Sequence, residues 1–357
     1  MANLWQRITG RTETRAVQPT VPTRSATTVT PDSALTLSAV FRAVQIIGTP
    51  ISKMELRTYR YATGMEQRIE NPILVNKPSL NDTRRDFFFQ TVVSLALEGN
   101  AYWFKSFDSR GNVNNLTLLP ASAVTVQLDR PTSTVKVFFY QGKQYGADQI
   151  EHLRLFSRPG VLLGASPIDT CRADLSTAID LRNYAANWFS SAGVPTGVLK
   201  TNQPLNGEDA EAITAAWHNK QQNRQIAVLG QGFDYQQVAL SPRDALFTET
   251  QAQAVQMVAR LFGIPPRLLL TTIAGSSDTY TNVQDENQIF YRHTLMAYTD
   301  AITDALSNCL PRGTRVEFDF EHLFKADVAA RYDYYKVAID AGILTADEVR
   351  SKEGING

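Results

Sequence analysis

From Ser33 to Met54 the apolar residues Val40, Val44, Ile47 and Ile51 recur at three- and four-residue intervals, which predicts a helix with one buried face. Pro50 predicts a kink or break near its end. The pattern then becomes strand-like from Glu55 to Tyr61 and returns to helical spacing from Arg85 to Leu97. Short apolar runs follow at Ala101–Phe107, Leu116–Leu119, Val124–Leu128 and Val135–Tyr140. Gly, Asn, Asp and Pro turn signals divide them, so this first part of the chain reads as a mixed α+β unit.

Two long helices come next, each announced by the same device. Ser166-Pro167-Ile168-Asp169 places a cap, a proline and an acid where a helix start needs them. The stripe Ile168, Cys171, Leu175, Ile179, Ala186, Phe189 then runs to Gly193 and Pro195. Ser241-Pro242-Arg243-Asp244 opens the second helix, with the stripe Leu246, Val255, Val258, Leu261, Phe262 and a stop at Gly263 before Pro265-Pro266. At the usual rise these are rods of about 30 to 40 Å. The insert between them reads as a strand (Gly197–Lys200), a helix (Glu208–Asn219, Ile213 and Trp217 inward) and strands near Ile226–Leu229 and Phe233–Val238. At about 45 residues it is of marginal size for a domain on its own, and it has no cysteine pair or metal ligands to staple it, so packing against further copies is expected.

Ile264 to Thr281 shows no period, and a loop of about 18 residues inside a compact protein is usually functional or disordered. A long helix is predicted from Asn282 to about Leu310. The strand Arg315–Phe320 puts Val316, Phe318 and Phe320 on one face and Glu317, Asp319 and, just beyond, Glu321 on the other. Short helices at Val328–Asp340 and Thr345–Lys352 complete the reading.

The composition narrows the function. Apolar residues make up 43%, which is ordinary for a folded protein. Lys plus Arg and Asp plus Glu are 35 each, so the chain lacks the basic excess of a protein that clamps phosphates. Cys171 and Cys309 are far apart, which suits a reducing cytoplasm and neither a disulfide framework nor a zinc ribbon. Thr9 to Pro31 reads as a mobile arm whose Arg7, Arg11, Arg15 and Arg24 are solvated. MANLWQRITGRTETR has no apolar core of a secretory signal, and no apolar run reaches membrane-spanning length, so a soluble protein without a membrane partner is expected.

No catalytic phrase is present: there is no GxSxG, GxxxxGK[ST], HExxH or GxGxxG. His152, His218, His293 and His322 are scattered and read as structural or surface residues. Glu317, Asp319 and Glu321 could face a hard cation, yet alternation alone predicts a wet strand face or a subunit contact. Trp188, Trp217, Phe189 and Phe290 lie on helical stripes and read as core or interface. The expectation is a non-enzymatic protein with no cofactor and no metal.

Four phrases carry a resemblance. They are EGNAYWFKSFDSRGNVNNLTLLPASAVTV (Glu98–Val126), IEHLRLFSRPGVLLGASPI (Ile150–Ile168), RLFGIPPRLL (Arg260–Leu269) and AGILTADEVR (Ala341–Arg350). In this order the chain resembles the portal proteins of long-tailed double-stranded-DNA bacteriophages, from about Ser33 to Gly354. The resemblance implies an α+β portal fold assembled as a ring, usually dodecameric in that family. A flexible arm (1–32) would precede a wing (33–165), completed by the long helix and strand of 282–325. Stem helices (166–193 and 241–263) would bracket a clip (194–240), a tunnel loop (264–281) would enter the channel, and a short helical crown (326–357) would end the chain.

It also implies partners: copies of the chain, the major capsid protein, the large terminase, a head–tail adaptor, and double-stranded DNA passing without sequence specificity. The setting would be the portal vertex of a virion assembled in a host bacterial cytoplasm, with roles in genome packaging and ejection. Candidate channel residues are Arg267, Thr271, Thr272, Gly275, Ser276, Ser277 and Thr279, whose hydroxyls suit weak, exchangeable phosphate contacts. Asn202, Gln203, Asn206, Gln221 and Asn223 of the clip would face the motor and adaptor. Glu317, Asp319 and Glu321 are candidate subunit-contact acids. Two rivals stand: another phage head-completion protein, and a metal-dependent hydrolase built on that acid row.

Overall fold

In the computed structural model the described residues are 29–62, 65–130, 134–190, 197–201, 211–213, 215, 217, 233–237, 247–269, 286, 288–320, 328–353 and 355. Val29 is already buried, and Thr30 caps α1 (Pro31–Leu35) by accepting from the Ser33 amide at 3.1 Å. The start of the fold therefore lies a few residues earlier than the expected arm boundary at 32; the rest of the arm lies outside the described residues.

Helix α2 (Ser38–Lys53) buries Val40, Ala43, Val44, Ile47 and Ile51, the stripe its spacing predicts. Pro50 does not end it: the helix continues to Lys53, and the Met54 amide closes on the Pro50 carbonyl at 3.0 Å. Only a final turn lies beyond the proline, so few hydrogen bonds are lost there. Helix α4 (Arg84–Glu98) follows a single turn, α3 (Ile73–Asn76), and is capped by Thr83, whose hydroxyl accepts from the Asp86 amide. It packs along α2 and buries Phe87, Phe88, Val92 and Leu95.

The strands form small antiparallel sheets around this helix pair. β1 (Leu56–Ala62) lies between β2 (Met65–Ile69) and β11 (Thr314–Phe318). β3 (Asn100–Phe107) lies between β4 (Val113–Leu119) and β8 (Ile150–Arg154). β5 (Val124–Leu128), β6 (Lys136–Tyr140) and β7 (Lys143–Gly146) form a meander over a satellite core of Tyr102, Leu119, Val124, Phe138 and Ile150. In the main core Trp103 stacks at a tilt on Phe87, ring centroids 5.2 Å apart, and donates its indole N–H to Thr91 Oγ1 at 3.1 Å. β2, β7 and β8 add to the strands expected from the pattern.

The first rod is interrupted. Ser166 caps α5 (Pro167–Thr170), Cys171 leaves helical geometry at φ −104 and ψ 26, and α6 (Arg172–Ser190) then runs on. The second, α7, is described from Phe247 to Phe262, so its predicted Ser241 start lies outside the described residues. The two rods pack together, and Leu175, Ile179, Val258, Ala259 and Phe262 belong to the main core. Of the insert, β9 (Gly197–Thr201) and β10 (Phe233–Gln237) pair antiparallel with Leu199 opposite Tyr235. Residues 211–213, 215 and 217 are helical, within the predicted insert helix, and the strand expected at Ile226–Leu229 lies outside the described residues.

The long helix expected from Asn282 is helical at 286 and 288–290, widens to a π turn at Tyr291–Leu295, and continues as α8 (Met296–Asn308). Helices α9 (Val328–Asp340) and α10 (Ala346–Glu353) match the two short helices predicted last. Among the described residues no helix is long and apolar enough to cross a membrane.

Candidate functional site

The first two family-like phrases meet in space. Gly99 ends α4 in the left-handed region at φ +68, and a Cβ there would stand 2.3 Å from the Ala165 carbonyl oxygen. Gly164 lies equally close from the other side: its Cβ would stand 2.2 Å from the Gly99 oxygen and 2.5 Å from that of Leu155. Two backbones this near admit only glycine. The Leu155 amide donates to the Gly99 carbonyl at 2.9 Å, extending the β3–β8 pairing into the joint.

Asn100 stitches the joint shut. Its Oδ1 accepts from the Gly164 amide at 2.7 Å and lies 3.0 Å from His152 Nε2. Its Nδ2 donates to the carbonyls of Glu98 at 2.8 Å and Gly164 at 3.1 Å. The side chain's two donors and its acceptor oxygen are all engaged. Ser166 adds a second stitch: its hydroxyl donates to the Leu97 carbonyl at 2.8 Å and accepts from the Asp169 amide at 3.1 Å. One residue thus ties the end of α4 to the start of α5.

With Oδ1 as the acceptor, His152 holds its proton on Nε2 and is neutral. Burial, then the positive charges of Lys136 and Arg154, push its pKa from 6.5 down to about 3. Its ring stacks on Tyr102 at 4.5 Å and meets Phe138 edge-on, while its Nδ1 is buried without a hydrogen-bond partner. The residue packs structurally, one of the two readings, structural or surface, open to it from the sequence. Burial also raises the Tyr102 hydroxyl and pushes the Cys309 thiol up to about 12, so neither is poised to ionise.

The third phrase forms the root of the segment without period. Gly263 closes α7 at φ +63, and the Ile264 amide reaches back to the Ala259 carbonyl at 2.8 Å. Ile264 and Leu269 are buried, and Pro266–Leu269 is a 3₁₀ turn. The first six residues of the expected tunnel loop are thus packed into the main core, because Ile264 and Leu269 fill space beside α2 and α7. Half-buried Arg267 belongs to this root. The Thr294 hydroxyl, in the π turn, donates to the Gly263 carbonyl at 2.6 Å and ties the returning helix to the same point. Thr271, Thr272, Gly275, Ser276, Ser277 and Thr279 lie outside the described residues, as do Asn202, Gln203, Asn206, Gln221 and Asn223.

The acid row is not the uniform wet face that alternation predicts. Glu317 is exposed and pairs with Arg315 at 3.0 Å, whereas Asp319 is 5% exposed and pairs with Arg57 at 2.5 Å. The ladder ends at Phe318, where period-two alternation ceases to govern, and the Asp319 amide bonds the Glu55 carbonyl at 2.8 Å. Glu321 lies outside the described residues. Among the described residues no three His, Cys, Asp or Glu side chains gather to hold a metal ion.

The fourth phrase turns α9 into α10. Thr345 caps α10 through reciprocal bonds with Glu348: its amide donates to the Glu348 carboxylate at 2.8 Å, and the Glu348 amide donates to its hydroxyl at 3.3 Å. All four phrases therefore sit where the chain reverses or where two segments are pinned together.

The chain is similar to known proteins over most of its length. A probable portal protein of Streptomyces phage phiC31 is 26% identical over 353 residues, spanning 92% of this chain and 77% of its own. The portal protein of Enterobacteria phage HK97 is 23% identical, over 90% of this chain and 79% of its own. Among solved structures, the neck of an empty gene transfer agent particle matches with a TM-score of 0.62 at 21% identity, covering 91% of this chain and 93% of that one. A neck of the native particle, computed with C12 symmetry, matches at 0.59 and 21%, over 90% and 93%. An HK97-family portal protein from Corynebacterium diphtheriae matches at 0.61 and 16%, over 82% and 97%. The family model described as phage portal protein matches residues 38–354, and the chain belongs to that family.

Proposed function

We propose that copies of this chain close into a ring at one vertex of a phage capsid and that double-stranded DNA enters and leaves the head through it. The carrying observation is the course of α6 and α7, which pack together, share the main core and bracket the β9–β10 insert. They serve as the stem and the insert as the clip, which docks the large terminase during packaging and a head–tail adaptor afterwards. The helix pair α2–α4 with its sheets is the wing, facing the major capsid protein. Support for the ring comes from the C12 symmetry used for the similar gene transfer agent neck.

A conduit must let its cargo slide. The chain's 35 basic and 35 acidic residues give no net pull on phosphates. The segment beyond Leu269, anchored by the root at Gly263 and Thr294, is the tunnel loop; Thr271, Thr272, Ser276, Ser277 and Thr279 offer neutral, exchangeable contacts there. The role is structural, without catalysis.

Electron micrographs of the purified protein test the ring: closed annuli with a central hole are expected, and a stable single-copy particle rejects it. Removing Thr271–Thr279 tests the loop. Rings should still assemble while DNA packaging or retention falls; normal genome-filled heads reject the role.

A further inference from the structure

The helix α9 carries apolar side chains that its own chain leaves in water. Tyr332 is 46% exposed, Tyr334 62%, Val337 66% and Ile339 38%. Their placement around the helix is not random. At about 100° per residue, Tyr332 and Ile339 fall within about 20° of one another, and Tyr334 and Val337 within about 60°. The two pairs are centred about 180° apart, on opposite flanks of the helix.

The remaining two faces are accounted for. Ala338 is 4% exposed, and its carbonyl accepts the Ile343 amide at 2.9 Å as the chain turns into α10. Tyr335, beside it, donates its hydroxyl to Glu353 of α10 at 3.0 Å. Opposite that inward face stand the exposed charges Asp333, Lys336 and Asp340. The helix thus has an inner face against α10, a charged outer face, and an apolar flank on each side.

We infer that each α9 is gripped on both flanks by neighbouring copies of itself, head to tail, so that the crown forms a closed apolar belt. This rests on the ring reading above. A two-fold dimer would use one patch twice and leave the other flank wet, and a single foreign partner would cover one side. Two different patches on opposite sides are what a cyclic, heterologous contact requires. The charged outer face suits the surface left to solvent.

The test uses the full chain, as assembled rings and as dissociated subunits, with one cysteine placed on each flank (Val337→Cys and Ile339→Cys) and a reference at Asp347→Cys, whose side chain is 90% exposed in the native chain. Maleimide labelling is followed residue by residue by mass spectrometry. Both flank thiols should react at least about tenfold more slowly in the ring than in the subunit, with the reference unchanged. Tyr334→Cys and Tyr332→Cys report the same flanks should either first variant fail to assemble. Protection of one flank only, or of neither, in preparations whose micrographs show closed rings overturns the belt while the ring reading stands. Absence of rings from the unsubstituted protein removes both.

Discussion

Replacing Asn100 by Ala removes four contacts: two to Gly164 in the chain entering α5, one to Glu98 at the α4 end and one to His152 of β8. The Gly164 amide, the Gly164 and Glu98 carbonyls and the His152 Nε2–H all lose their partner together. At about 1 kcal/mol net for each bond the loss sums to about 4 kcal/mol. Water entering the vacated space replaces part of it, leaving about 3 kcal/mol. With 1.4 kcal/mol per tenfold, that is about a hundredfold increase in local opening.

Hydrogen exchange reads this directly, because it separates a loosened joint from a globally weakened protein. The Gly164 and Leu155 amides should exchange about a hundredfold faster in Asn100→Ala, while amides of the β6–β7 hairpin keep their rates. Unchanged exchange at Gly164 would refute the claim that Asn100 holds the joint. A uniform rise at every amide would show that the side chain supports the whole fold instead.

Two further outcomes follow from the buried charges. Arg57→Met leaves Asp319 in the interior without that ion pair and should cost about 2 kcal/mol in urea unfolding, whereas Glu317→Ala should stay within about 0.5 kcal/mol; equal effects would contradict the burial difference. His152 is held neutral in the folded chain, so only the unfolded chain takes up its proton as pH falls from 6.5 toward about 3. Stability contributed by His152 is complete above that window and lost below, by up to about 1.4 kcal/mol per pH unit, and His152→Gln should flatten that part of the profile. Identical acid profiles for the two proteins would refute the neutral assignment.

Long, strongly patterned segments were legible in the sequence. The α2 stripe of Val40, Val44, Ile47 and Ile51 is buried as spaced, and β5 runs from Val124 to Leu128 as predicted. β2 was not legible: Met65 to Arg68 are exposed on both faces, so the strand shows no alternation and exists because β1 offers it a ladder. Nor was the break at Cys171, since a single non-helical residue leaves the apolar stripe intact on either side. The joint illustrates the larger limit. Gly99-Asn100 and Gly164-Ala165-Ser166 each stood out as phrases, but 64 residues separate Asn100 from Gly164 and no periodicity reports that they touch. Asp319 escaped for a related reason, because its partner Arg57 lies 262 positions away.

At its tightest point the joint between α4 and α5 is main chain against main chain, with Gly99 and Gly164 facing the backbone of Ala165, Leu155 and each other. A hinge of side chains can be retuned by trading one residue for another of different bulk; two glycines at van der Waals limits cannot. The angle at which α5 leaves the helix-and-sheet body is therefore inherited as a fixed constant of the fold. Any adjustment of that rod's direction must be absorbed farther along, and the first place able to give is Cys171, where the helix already lets go of its own geometry for one residue.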